Sequence, residues 1–215
     1  MIILSCLYRI ICMMLDIFTH IIDTILPPHP SILKLRGETH EKFVRFYSPR
    51  KFSNCTYLSS YNQKIIKAAI TANKFHNHNK ASLLLATLVT KWINAQADKT
   101  FIFVPIPLSK NHKQTRGYNQ VTKILENIKS DKVTIQNLLI KTRETKPQTE
   151  LDRALRLKNL EGVFSYKDTK MDLSEQHIIL IDDVITTGAT MKEAYKTLKP
   201  NLPKNSTITC LALAH

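Results

Sequence analysis

Glycine is the first scarcity: there are four in 215 residues, where average usage of about 7% would supply about 15. That excludes a collagen-like or glycine-rich linker protein, and each glycine that remains marks a place where the backbone needs what a side chain forbids. Cysteine is as thin. Cys6, Cys12, Cys55 and Cys210 stand apart, with no C-x-x-C pair and no Cys/His cluster at zinc spacing. This argues against a disulfide framework or a zinc finger, and predicts reduced thiols in a cytoplasmic protein that holds no zinc. Negative charge is short as well, 17 Asp+Glu against 31 Lys+Arg for a net +14, which permits sequence-independent, salt-sensitive binding of nucleic acid without proving it. A clean hydrophobic run is missing too. The apolar segment over residues 1–28 is broken by Arg9, Asp16, His20 and Asp23, whereas a spanning helix needs about 20 nearly uninterrupted apolar residues. No small-residue cleavage site follows it. It reads as an amphipathic helix stopped at Pro27 and Pro28, packed on the fold or a partner, or lying on a membrane surface; no transmembrane segment is expected.

What is present is an ordinary globular composition, 43% hydrophobic and 22% charged, long enough for one good-sized domain with an appendage. Residues 31–51 are polar and basic without a sustained period and read as a linker or irregular arm. Ile65, Ile66, Ala69 and Ile70 recur at helical spacing, and Leu84, Leu85, Leu88 and Trp92 do so over 81–95. A buried strand is expected over 101–105, ending where prolines remove donors. Helix 118–128, an apolar stretch 133–140, strands 163–166 and 178–181, helix 190–198 and a last strand 207–214 complete an α/β order. Such an order favours a mainly parallel central sheet flanked by helices. The expected division is an N-terminal helix and basic linker over 1–55, then a single α/β domain over 56–215.

The segment that carries chemistry is HIILIDDVITTGAT, residues 177–190. A central strand runs into two adjacent carboxylates, then into short hydroxyl residues around Gly188, then into a helix. Ligands of open α/β sheets bind beyond the carboxyl ends of the strands. Successive N–H groups at a helix start, with the helix dipole behind them, suit a phosphate, so Thr186, Thr187, Gly188, Ala189 and Thr190 read as its cradle. Asp182 and Asp183 diverge to opposite faces if the strand persists, or both reach the crevice if it has turned. The second arrangement suits a vicinal diol, because ionised carboxylates only accept. The whole reads as a ribose 5-phosphate site. A Mg²⁺ role for the acids is the other possibility, without the Gly-Lys-Ser/Thr pattern of triphosphatases.

Residues 178–190 resemble the phosphoribosyl pyrophosphate (PRPP) signature of type I phosphoribosyltransferases. VPIPLSKNHKQTRGYNQ (104–120) and KTRETKPQTELDRALRLKNLEGVF (141–164) resemble the ComF family, linked to competence and the uptake of transforming DNA, with a weaker match over 61–75. The resemblance implies a type I phosphoribosyltransferase-like fold with an N-terminal helical extension, PRPP bound with Mg²⁺, and handling of single-stranded DNA, alone or with a DNA-uptake helicase. It also implies that Asp182 and Asp183 hold the ribose hydroxyls and residues 186–190 the 5-phosphate. The loop after FVPIP becomes the pyrophosphate loop, with Lys110 and Arg116 as its cations. Family members carry a cysteine-rich zinc module near the N-terminus, and this sequence has no cysteine between Cys12 and Cys55.

Residues 141–159 carry Lys141, Arg143, Lys146, Arg153, Arg156 and Lys158 against Glu144, Glu150 and Asp152. In type I phosphoribosyltransferases this is the place of a mobile loop that closes over PRPP and stabilises the departing pyrophosphate. Lys141 and Arg143 are the candidate catalytic residues. Three functions share the site: a PRPP-binding protein of DNA uptake, a working transferase that moves the pentosyl group to a base or amine, and a PRPP sensor. No base-reading hood is legible.

Overall fold

The computed structural model describes residues 27–96, 99–144 and 160–215. The N-terminal helix expected over residues 1–26 and the charged run 145–159 lie outside the described residues. Within them the order is α1 (Pro30–Lys34), α2 (His40–Phe43), β1 (Arg50–Phe52), β2 (Cys55–Ser59), α3 (Lys64–His76), α4 (Asn79–Asn94) and β3 (Phe101–Pro105). The chain continues through α5 (Lys110–Arg116), α6 (Gln120–Leu125), β4 (Val133–Ile135), β5 (Leu139–Lys141), β6 (Phe164–Tyr166), β7 (His177–Val184), α7 (Ala189–Leu198) and β8 (Thr207–Ala214).

Six strands form one sheet in the order β1-β2-β8-β7-β3-β4. Every pairing is parallel except β1 with β2. The expected α/β sheet is therefore what forms. Its centre is β7, whose run Ile178, Ile179, Leu180 and Ile181 is fully buried, as a parallel strand covered on both faces must be. Ile179 and Ile181 join Phe103, Leu211 and Leu213 in a core under α3, α4 and α6. Ile178 and Leu180 join Ile102, Val104 and Ala212 in a second core under α7. Each such side chain contributes about 1.5–3 kcal/mol by leaving water, so the strand that carries the acids is firmly anchored.

Three expectations change. The arm over 31–51 is not irregular: Thr39 caps α2 through its hydroxyl, and Leu35 and Phe43 are wholly buried in the first core. β1 then pairs with β2, with Phe52 opposite Cys55, so the sheet itself runs across the division placed at residue 55. The apolar stretch 133–140 is divided between two strands. β4 extends the main sheet, while β5 turns away to pair antiparallel with β6 in a separate ribbon. Residues 163–166, expected in the central sheet, thus lie in that ribbon instead.

Candidate strand-end phosphate site

β7 does not turn before its acids. It stays extended to Val184, and because side chains alternate along a strand, Asp182 and Asp183 go to opposite faces. Asp182 lines the concavity formed with Val184 to Met191, the loop that opens α7. Asp183 lies on the other face, 4% exposed, accepting from Gln120 Nε2 at 3.1 Å and paired with Lys74 at 3.6 Å. Each carboxylate also accepts a backbone N–H from the next residue, both at 2.8 Å. Only Asp182 therefore shares a concavity with the loop; Asp183 is a held, buried charge whose neighbours fix the strand end.

The loop is built as the residue types require. Gly188 sits at φ +75° as the residue before α7, a left-handed conformation that costs other residues about 1–2 kcal/mol. Ile185 N donates to Ala214 O at 3.0 Å, and Ile185 O meets His215 Nδ1 at 2.9 Å. The last strand thus clamps the base of the loop. Thr187 Oγ1 accepts from Ala189 N at 3.4 Å, and Thr186 is exposed at the rim.

Burial, and next the negative charge of Asp183, push the Asp182 carboxyl up to about 8. The folded protein then keeps a proton that the unfolded chain has released above its ordinary value of 3.8. By linkage, stability falls as pH rises between those two values. Asp182→Asn removes the titration, so the variant is expected to match the wild type near pH 4 and to gain on it steadily up to about pH 8. Melting temperatures of both proteins across this range check it; parallel curves would show that Asp182 ionises without penalty.

The expected pyrophosphate loop is a helix. α5 begins with the Ser109 hydroxyl as cap, and Glu144 Oε1 accepts from Asn111 N at 2.9 Å. It ends at Gly117, φ +75°. Lys110 is exposed on its first turn. Arg116 is half-buried, donates to Gln120 Oε1 at 3.3 Å and lies 5.1 Å from the Phe75 ring centre. The rest of the RGYNQ block braces the helices. Tyr118 donates its hydroxyl to Asn73 O at 2.5 Å. Asn119 caps α6 through Val121 N and Thr122 N and donates to Ile106 O. Gln120 links Arg116 to Asp183.

Lys141 ends β5 half-buried. Burial lowers its ammonium pKa, against the pull of Glu144 and Asp182. Arg143 is exposed and donates to Glu161 O at 2.7 Å. Of the two candidate cations, Lys141 is the one that feels the charge of Asp182. Lys74 and Gln120 complete the site's polar frame, and the spacing of Lys74 gave no signal, because only the fold brings α3 to the end of β7.

A second hollow, of about 880 Å³, shares no lining residue with the loop concavity. Its walls include Lys110, Lys113, Lys123, Lys141, Lys167 and Glu126. Lys123 donates to Asn77 O at 2.6 Å and also bonds Asn77 Oδ1.

A mainly parallel sheet with a loop and carboxylates at the end of β7 makes this an open α/β fold, a class whose ligands generally bind beyond the strand ends. No known family model matches the chain. It is 32% identical over 98 residues to "Competence protein F" of Haemophilus influenzae, covering 45% of this chain and 43% of that protein. It is 39% identical over 102 residues to "Competence protein ComFC" of Bacillus subtilis, covering 47% and 39%. With "DNA utilization protein YhgH" of Escherichia coli K12 the figures are 28% over 116 residues, covering 50% and 47%. Over about half of its length the chain is similar to these competence and DNA-utilization proteins, and the matched part spans less than half the length of each of them. Among solved structures, a hypoxanthine phosphoribosyltransferase from Staphylococcus aureus overlaps 62% of this chain and 63% of its own at TM-score 0.37 and 12% identity, a level at which overall likeness decides nothing. Among the described residues no helix is long and apolar enough to cross a membrane.

Proposed function

We propose that the protein binds PRPP, with Mg²⁺ carried on the pyrophosphate, and serves in competence by handling single-stranded DNA. The observation that carries the first half is the placement of Asp182 in one concavity with the loop that opens α7. Thr186 to Thr190 meet the 5-phosphate through loop N–H groups and hydroxyls. Asp182 accepts from the ribose hydroxyls, and Asp183, held by Gln120 and Lys74, fixes the strand end that presents it. Arg116 and Lys110 supply charge for the pyrophosphate, where a guanidinium fork adds geometry that a lysine lacks. Lys141 stands where a developing charge on that group would be met. The names of the relatives support the second half.

The alternative is a working transferase that displaces pyrophosphate with a base or amine. PRPP with Mg²⁺ is expected to raise the melting temperature, since a ligand at 100 times its Kd stabilises by about 2.7 kcal/mol. No shift at saturating PRPP contradicts the proposal. Pyrophosphate released only when a nucleobase or amine is added would move the assignment to the transferase.

A further inference from the structure

We propose that the large hollow beside α5 and α6 is a track for single-stranded DNA. This rests on the DNA-handling half of the function proposed above and not on PRPP. Five lysines line it against one glutamate, and they come from four separate parts of the fold: Lys110 and Lys113 from α5, Lys123 from α6, Lys141 from β5 and Lys167 beyond β6. A compact anion is met by donors that converge. Charges dispersed along a groove of about 880 Å³ suit a chain of phosphates, whose neutralisation releases counterions and needs no particular sequence.

The second requirement for a single strand is an aromatic face on which a base can stack. Phe75 is 61% exposed, the most open large apolar side chain among the described residues. Lys74 Nζ and the Arg116 guanidinium lie 5.8 and 5.1 Å from its ring centre. It is two residues from Asn77 and next to Arg116, itself beside Gly117, and both Asn77 and Gly117 line the groove. Ile140, 45% exposed on β5, adds apolar surface to the wall. Exposed apolar side chains between lysines favour unstacked bases over a duplex, which offers only its backbone.

The test uses the full chain and a fluorescent oligothymidylate, by anisotropy over a salt series. Lys113 and Lys167 are exposed and stand outside the proposed PRPP contacts, so K113E/K167E leaves PRPP binding as it was. That variant is expected to bind the oligonucleotide at least about tenfold more weakly, with the salt slope reduced by roughly 1.4 for two lost phosphate contacts. K199E/K204E, with the same net charge but changed far along the chain after α7, stays within about twofold. Phe75→Ala weakens binding about fivefold or more, as loss of a stacked base does, with the salt slope unchanged. Equal losses in the two charge variants overturn the groove while leaving DNA handling in place. No binding by the wild type at low salt overturns both. Displacement of the oligonucleotide by polyglutamate at equal charge concentration overturns the track in favour of a surface for acidic proteins.

Discussion

Replacing Asp182 and Asp183 together by asparagine is expected to weaken PRPP binding at least about a hundredfold and to leave salt-dependent binding of single-stranded DNA within about twofold. Above about pH 8, where Asp182 is ionised, a hydrogen bond to its charged carboxylate contributes about 1.5–3 kcal/mol. Two of them lost at Asp182, or one lost there and the strand end loosened at Asp183, give about 3 kcal/mol or more, which is at least about two decades in Kd. Asparagine keeps an oxygen for each N–H now accepted at 2.8 Å. It also leaves Lys74 without its partner at 3.6 Å, and the single variants separate the two effects. Asp182→Asn lowers affinity without loss of melting temperature, whereas Asp183→Asn lowers both. Equal affinity in the double variant and the wild type would remove the acids from the site.

Gly188→Val is expected to cost about 1–2 kcal/mol through its backbone alone, lowering the melting temperature by roughly 3–6 °C for a domain of this size. It should weaken PRPP binding by more than about tenfold. A Cβ at this position would meet Ile185 Cδ1 at 3.6 Å and Phe52 Cε1 at 3.9 Å, which is ordinary contact. The strain is therefore conformational, arising at φ +75°, and a branched side chain relieves it only by turning the loop. Turning the loop moves the backbone that lines the concavity, so stability and affinity fall together. A variant that melts lower but binds PRPP normally would show that the cradle does not depend on this conformation.

How much of this was legible follows from how far each signal reaches along the chain. β7 announces itself because four consecutive buried aliphatic residues precede two acids, and the helix after Gly188 follows from local chemistry. α5 was hidden. KNHKQTR buries no residue and so has no apolar period, although Ser109 before it and Gly117 after it are the cap residues such a helix needs. The segment 31–51 shows no period for a related reason: of its buried residues, Leu35 follows and Phe43 ends a helix too short to show one. Whether the two acids share a crevice depends on where the strand ends. The parallel partner β8 keeps β7 extended, pairing Asp182 with Ala212 and Val184 with Ala214. Lys74, Gln120 and Asp183 meet only because α3 and α6 cover the same face, which no spacing encodes.

The central claim is that the end of β7 and the loop into α7 hold PRPP. Titration calorimetry of PRPP with Mg²⁺ into the full chain, with ribose 5-phosphate as the control ligand, tests it most directly. The account predicts one site of micromolar Kd, about −8 kcal/mol, with ribose 5-phosphate binding more weakly because Lys110 and Arg116 then have no pyrophosphate to meet. Absence of heat for PRPP in two buffers of different ionisation enthalpy would contradict it, and would leave the strand-end loop a structural turn.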